Sequence, residues 1–280
     1  MPFLPPSARI GYAHLRVTNL ARSLGFYADS MGLHEIKRDG DSAWLSGDGH
    51  TTHLILTEQR GAIPKPARTV GLYHVAIRLP SRPALATVFR RLVMHHVPFQ
   101  GFSDHLVSEA LYLPDPDGNG LELYRDRPRE EWTLDGDQVA MNTLPLNVEN
   151  LLEDALDERW TGIAPGTDIG HVHLHVSDLN TAERFYVDTL GFEVMQRGYP
   201  GALFVAAGGY HHHLGLNIWA GKTPPPINAV GLIAFSVVVP DSQGYEDTLR
   251  RFDQAGIMVE RGESEFTAAD QDGSRVVVNQ

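Results

Sequence analysis

The sequence predicts an α+β fold made from one strand–helix–three-strand unit repeated four times. Three observations predict it. The segment RIGYAHLRVTNLARSLGFYADSMGLHEI, starting at Arg9, and the segment DIGHVHLHVSDLNTAERFYVDTLGFEVM, starting at Asp168, align without a gap, so that Gly11 matches Gly170, Phe26-Tyr27 matches Phe185-Tyr186, and Gly32 matches Gly191. A second pair, GLYHVAIRLP from Gly71 and GLIAFSVVVP from Gly231, follows the first in each half, and each leads to an Arg-Arg pair and then a DPDG or DQDG turn. Within a copy, apolar residues first alternate with period two and then recur at helical spacing.

Taken in order, residues 1–8 are a Pro-rich lead-in. Unit one opens with an alternating strand, continues into an amphipathic helix with Asn19 as N-cap, stops at Gly32 and adds short strands around residues 43–45 and 52–57. Unit two runs from Gly71 through a helix carrying Arg90 and Arg91 to a hairpin of special composition. There an apolar strand at 109–113 meets a turn of Asp115, Pro116, Asp117, Gly118, Asn119 and Gly120, and the return strand sets Glu122 between Leu121 and Leu123. An ionised carboxylate is rarely buried without a cation or hydrogen bonds, so Glu122 either faces solvent or meets a metal or a base. Residues 127–167 form a connector with a short helix capped at Asn147 and directed toward Trp160. Unit three repeats unit one, with Asp178 as cap and strands around 202–206 and 211–219, and unit four repeats unit two through Arg250 and Arg251 to the DQDG turn at Asp270. Two domains follow, 9–126 and 168–280, each a tandem pair of units.

Composition narrows the function. The net charge of −12 disfavours nucleic acid and anionic membrane surfaces as partners. With no cysteine there are no disulfides or thiolate metal sites, so a metal must be held by Asp, Glu or the fourteen His. No apolar run reaches the roughly 18 to 20 residues of a membrane span, and MPFLPPSAR does not read as a secretory signal, so a soluble, cytoplasmic protein is expected.

Four such units, with FY in the helix and DPDGNGLEL closing unit two, resemble the vicinal oxygen chelate superfamily, which holds glyoxalases, extradiol dioxygenases and antibiotic-binding proteins. The resemblance covers nearly the whole chain. It implies curved half-barrels, each closed by two units around a metal taken by a His from each first strand and a Glu from a last strand. Residue by residue, the first-strand positions are Tyr12, His74, His171 and Ala234, and the carboxylate positions are Glu122 in unit two and Val277 in unit four. Pairing the units in tandem leaves both sites incomplete. Pairing two with three, and one with four, gives one cavity with His74, Glu122 and His171 and one with no ligands. Two imidazoles and a carboxylate are the facial triad of non-haem Fe(II) enzymes, with Mn(II) as the alternative ion.

Further matches favour the extradiol dioxygenases, most of all the catechol 2,3-dioxygenase kind. The spacing from His105 through Tyr112, Asp115, Pro116 and Gly118 to Glu122 is similar to that family's signature, departing from it at Ser103. There the His and Tyr hydrogen-bond the catechol, which assigns those parts to His105 and Tyr112. The triplet His211-His212-His213 resembles the strand that supplies an acid/base His, and its last member, His213, takes that position. Counted with period two, His211 and His213 share one face and His212 the other. His53, which aligns with His213 in unit one, is read as structural. The expected partners are a small aromatic diol and dioxygen, and the ligand-free pairing of units one and four leaves room for a homo-oligomer surface. Two rivals remain: a glyoxalase-like metal-dependent isomerase, which would need a second Glu where the chain has Leu214, Gly215, Leu216 and Asn217, and a metal-free binding protein, which would not need the triad.

Overall fold

A computed structural model of the chain describes residues 3–136, 138–156 and 159–280. Unit one comprises β1 (Arg9–Val17), α1 (Leu20–Leu24), β2 (His34–Asp39), β3 (Ser42–Ser46) and β4 (Leu54–Glu58). Unit two comprises β5 (Gly71–Arg78), α2 (Arg82–Met94), β6 (Gly101–Asp104), β7 (Ser108–Pro114) and β8 (Gly120–Asp126). The connector adds β9 (Leu134–Asp135), β10 (Gln138–Val139), β11 (Leu144–Pro145) and α3 (Val148–Glu153). Unit three is β12 (Asp168–His175), α4 (Leu179–Glu183), β13 (Glu193–Gln196), β14 (Ala202–Ala206) and β15 (Leu214–Asn217). Unit four is β16 (Gly231–Val238), α5 (Ser242–Ala255), β17 (Glu260–Arg261), β18 (Glu265–Ala269) and β19 (Arg275–Asn279).

Local chemistry sets the helix ends. Asn19, Ser81, Asn147, Asp178 and Asp241 each accept an amide hydrogen bond from the first turn of their helix, which satisfies a donor that has no partner within the helix. Helices α1 and α4 run on into one π-helical turn, Gly25–Ser30 and Arg184–Thr189, in which Met31 N–H reaches Phe26 O and Leu190 N–H reaches Phe185 O. These turns carry the repeated FY pair. The Tyr27 hydroxyl donates to Asp115 at 3.0 Å and that of Tyr186 to Asp270 at 2.8 Å, so the helix of the first unit in each tandem pair is latched to the acidic turn of the second.

One expectation is corrected in the connector. Its helix does begin after Asn147 but stops at Glu153 instead of continuing toward Trp160, and residues 157–158 of that span lie outside the described residues. The chain is drawn onto α2: Arg82 binds the side chains of Asn150 and Asp154, and Leu156 N–H turns to Thr87 Oγ1.

The strands assemble in the swapped order. One sheet runs β11-β6-β7-β8-β5-β12-β15-β14-β13 and joins units two and three; the other runs β17-β18-β19-β16-β1-β4-β3-β2 and joins units four and one. Each half-barrel is therefore built across the tandem repeat, and the seam of the first is the antiparallel pair β5–β12. Val172 and Leu174 of β12, with Val176 just past its end, join Leu15, Val17 and Val75 in one continuous core. His171 and His173 are left on the opposite, concave face.

Candidate metal centre and its cavity

Strand register brings three ligand-type side chains together. In the seam His74 pairs with His173 and Val75 with Val172, which places His171 diagonally across from His74. On the other side of β5, parallel pairing sets Glu122 beside Ala76, two residues from His74. Glu122 Oε2 then lies 2.9 Å from His74 Nε2 and 3.1 Å from His171 Nε2, with all three side chains buried. Their donor atoms lie within 4.8 Å of one another, and this is the set of metal-ligating type found among the described residues.

The donor chemistry suits a divalent ion. His74 Nε2 is buried without a hydrogen-bond partner, since its approach to Glu122 is short but misaligned, and an ion at the centre would satisfy it. Burial pushes His171 down to about 4, keeping its imidazole neutral as a ligand must be. For Glu122 burial acts in the opposite sense, but the two histidines outweigh it and hold the carboxyl well below its usual range.

The cavity above the centre has a volume of about 340 Å³. Tyr73, Tyr112, Tyr199, Phe204 and Trp219 give it aromatic walls. His105 and Tyr112 are brought into it together: His105 Nδ1 lies 2.7 Å from Asn142 O and its Nε2 lies 2.7 Å from the Tyr112 hydroxyl. A carbonyl only accepts, so Nδ1 carries a proton, and Nε2 of a ring with that one proton accepts from Tyr112. Burial and the charge of Glu122 raise the Tyr112 hydroxyl well above its usual range, so it stays a donor.

His213 is not brought there. It does not line the cavity; its Nδ1 accepts the amide of Ala207 at 3.1 Å, and its ring lies against Tyr210. His53 Nδ1 accepts from Gly47 N–H at 3.0 Å in the same way, so the aligned pair shares one structural part. The cavity histidine of the triplet is His212, whose ring lies 4.1 Å from that of His171. Period-two counting failed because the strand begins only at Leu214, and the triplet sits in the turn before it. The match of His213 to His53, in a unit with no ligands, was the signal that position 213 serves the turn.

His173 also has a place. Asn217 Nδ2 donates to its Nε2 at 3.0 Å, and its ring covers Gly215, where an added Cβ would come within 2.7 Å of the imidazole. By register Gly215 is to β12 what Glu122 is to β5, so the site of a second carboxylate is filled by a ring. The connector's contribution was not legible: Met141, Asn142 and Thr143 form part of the cavity wall. The second sheet offers Tyr12, Ala234 and Val277 at the equivalent positions and no metal-ligating cluster among the described residues.

Comparison with known proteins gives the family and the fold. The sequence model of the Glyoxalase/Bleomycin resistance protein/Dioxygenase superfamily matches residues 9–123 and 168–277. A catechol-2,3-dioxygenase of Bacillus subtilis (strain 168) is 46% identical over 276 residues, 96% of each chain. A manganese-dependent 2,3-dihydroxybiphenyl 1,2-dioxygenase of Geobacillus genomosp. 3 is 23% identical over 248 residues, covering 88% of this chain and 67% of that protein. In fold alone, glyoxalase I of Zea mays superposes with a TM-score of 0.59 at 18% identity, over 98% of this chain and 92% of that one.

Proposed function

Because the chain belongs to the glyoxalase/bleomycin resistance protein/dioxygenase superfamily, we propose that it is an extradiol dioxygenase, opening a catechol ring beside its two hydroxyls with dioxygen. In this reading His74, Glu122 and His171 hold the ion, Fe(II) in preference to Mn(II). The observation that carries it is the unpartnered Nε2 of buried His74 facing Glu122 and His171 at the base of an aromatic cavity. An apolar cavity of about 150 Å³ holds benzene, so 340 Å³ admits a substituted ring.

When bound, the ion supplies positive charge that stabilises the catecholate and a redox centre for the reaction with dioxygen. The chain's own groups do the rest. Tyr112, whose proton is held by His105 Nε2, accepts at its oxygen from a substrate hydroxyl and orients the ring. His212, in place of His213, accepts a hydroxyl proton at Nε2 and returns it later, a step suited to imidazole. Phe204, Tyr73 and Trp219 exclude water around the ring. The isomerase rival lacks its second base, since Gly215 stands at that place beneath His173.

The test is direct. Protein prepared without oxygen and loaded with Fe(II) is given catechol and then air, and the yellow ring-opened product is followed by absorbance. Turnover of a thiol hemithioacetal, with no product from any catechol, would overturn the reading in favour of the isomerase.

A further inference from the structure

The cavity histidine is not isolated. Behind it, His211 is fully buried in the turn before β15, and Asp126 ends β8, the strand that carries Glu122. His211 Nε2 lies 2.8 Å from Asp126 Oδ1, and His211 Nδ1 lies 2.8 Å from His212 Nδ1. We propose that Asp126 and His211 are positioning residues that hold His212 in the tautomer whose Nε2 is bare, making that nitrogen the cavity's proton acceptor. The inference rests on the catechol reading only for what Nε2 accepts.

A carboxylate can only accept, so His211 Nε2 carries a proton. A ring carrying only that proton presents a bare Nδ1, whose partner is His212 Nδ1. Two bare nitrogens cannot hydrogen-bond, so His212 Nδ1 carries the proton and donates it. Its Nε2 is left bare, with no hydrogen-bond partner among the described residues. Asp126 is itself fixed: Arg78 Nη1 donates to Oδ2 at 3.2 Å, and the Tyr210 hydroxyl lies 3.0 Å from the same oxygen. Tyr124 and Tyr210 are joined by their hydroxyls at 2.8 Å, which closes the polar cluster behind the cavity. Fixing which nitrogen carries the proton is the part that an Asp–His pair plays wherever one orients an acid/base imidazole.

The experiment reads the tautomer itself. Full-length protein is labelled with ¹⁵N and loaded with zinc, a diamagnetic ion for the same donor set, and long-range ¹H–¹⁵N correlation separates protonated from bare ring nitrogens. The His212 signals are identified by their loss in His212→Gln. Wild type is expected to show His211 protonated at Nε2 and His212 at Nδ1. In Asp126→Asn, Arg78 keeps the amide oxygen toward itself and turns the amide N–H groups toward His211. The order then reverses, His212 becomes protonated at Nε2, and kcat for catechol with Fe(II) falls by about 10² with little change in KM. A wild-type His212 protonated at Nε2, or an Asp126→Asn protein with an unchanged tautomer, would overturn the proposal.

Should Asp126→Asn lose zinc, His211→Gln and His211→Phe decide. The glutamine carbonyl can still accept from His212 Nδ1 and is expected to retain the tautomer and most of kcat, whereas phenylalanine loses both; equal kcat in the two would count against it. If wild type turned over no catechol, the catechol reading would fail while the tautomer measurement stood on its own.

Discussion

The ring of His173 lies over the α-carbon of Gly215, so close that a methyl group there would meet Cγ at 2.7 Å and Nδ1 at 2.8 Å. His173 is buried, and its Nε2 takes the Asn217 amide, so the ring cannot swing aside without giving up a hydrogen bond. Gly215→Ala is therefore expected to destabilise the fold by about 1–3 kcal/mol, the usual range for overpacking. Adding His173→Ala should recover most of the loss, because the methyl then enters the space the ring vacates. Urea unfolding of both variants measures this, and equal midpoints for the single and double variants would contradict the contact.

The metal set makes a second prediction. His74→Ala removes one of three ligands, and loss of a supporting hydrogen bond alone commonly costs about 10–100-fold in metal affinity, so a loss beyond the upper end is expected. His171→Ala should behave alike. Tyr12→Phe and Val277→Ala, at the matching places in the other sheet, should retain one ion per chain. Metal content after dialysis against a weak chelator reads the difference, and tight retention by His74→Ala would take unit two out of the site.

What could be read in advance follows from where the signal lives. Periods of two and 3.6 and an internal repeat are local, so the four units stand out in the sequence. The pairing of two with three was legible because only that arrangement unites His74, Glu122 and His171. The member of the triplet that faces the cavity is not the one period two predicts, because the strand starts at Leu214 and not at residue 211, which exchanges the directions of His212 and His213. The wall formed by Met141 and Asn142 carries no period at all. Its place is set by distant contacts, among them Asn142 N–H with His105 O and Gln196 Nε2 with Val139 O.

Acid should unfold the metal-free protein through its buried imidazoles. Burial lowers His171 to about 4 and His213 to about 3, against an ordinary 6.5 for exposed histidine. Between 6.5 and those values the unfolded chain binds more protons than the folded one, so stability rises with pH there and is lost as pH falls through the same window. At pH 5 each of the two costs on the order of 2 kcal/mol relative to pH 7 or above. His213→Gln keeps an acceptor for Ala207 N–H and removes one titrating group, so its urea midpoint should fall less between pH 7 and 5 than that of wild type. Parallel midpoints for the two proteins would show that His213 does not titrate in this window.

Ring substituents should be discriminated by charge. Among the described residues lining the cavity there is no Lys or Arg, and the carboxylate that belongs to it, Glu122, is already negative. A carboxylate on the ring would have to leave water for aromatic walls with no cation to receive it, and such burial costs several kcal/mol unless it is paired. Catechol and its methyl derivatives are accordingly expected to exceed 3,4-dihydroxybenzoate in kcat/KM by about 10² or more, since roughly 1.4 kcal/mol corresponds to each factor of ten. Steady-state rates across that series, at one pH and one salt concentration, measure the ratio. Equal kcat/KM for the charged and uncharged rings would mean that the substituent reaches solvent at the mouth, between Tyr73 and Trp219, whose rings lie 5.9 Å apart and are both exposed.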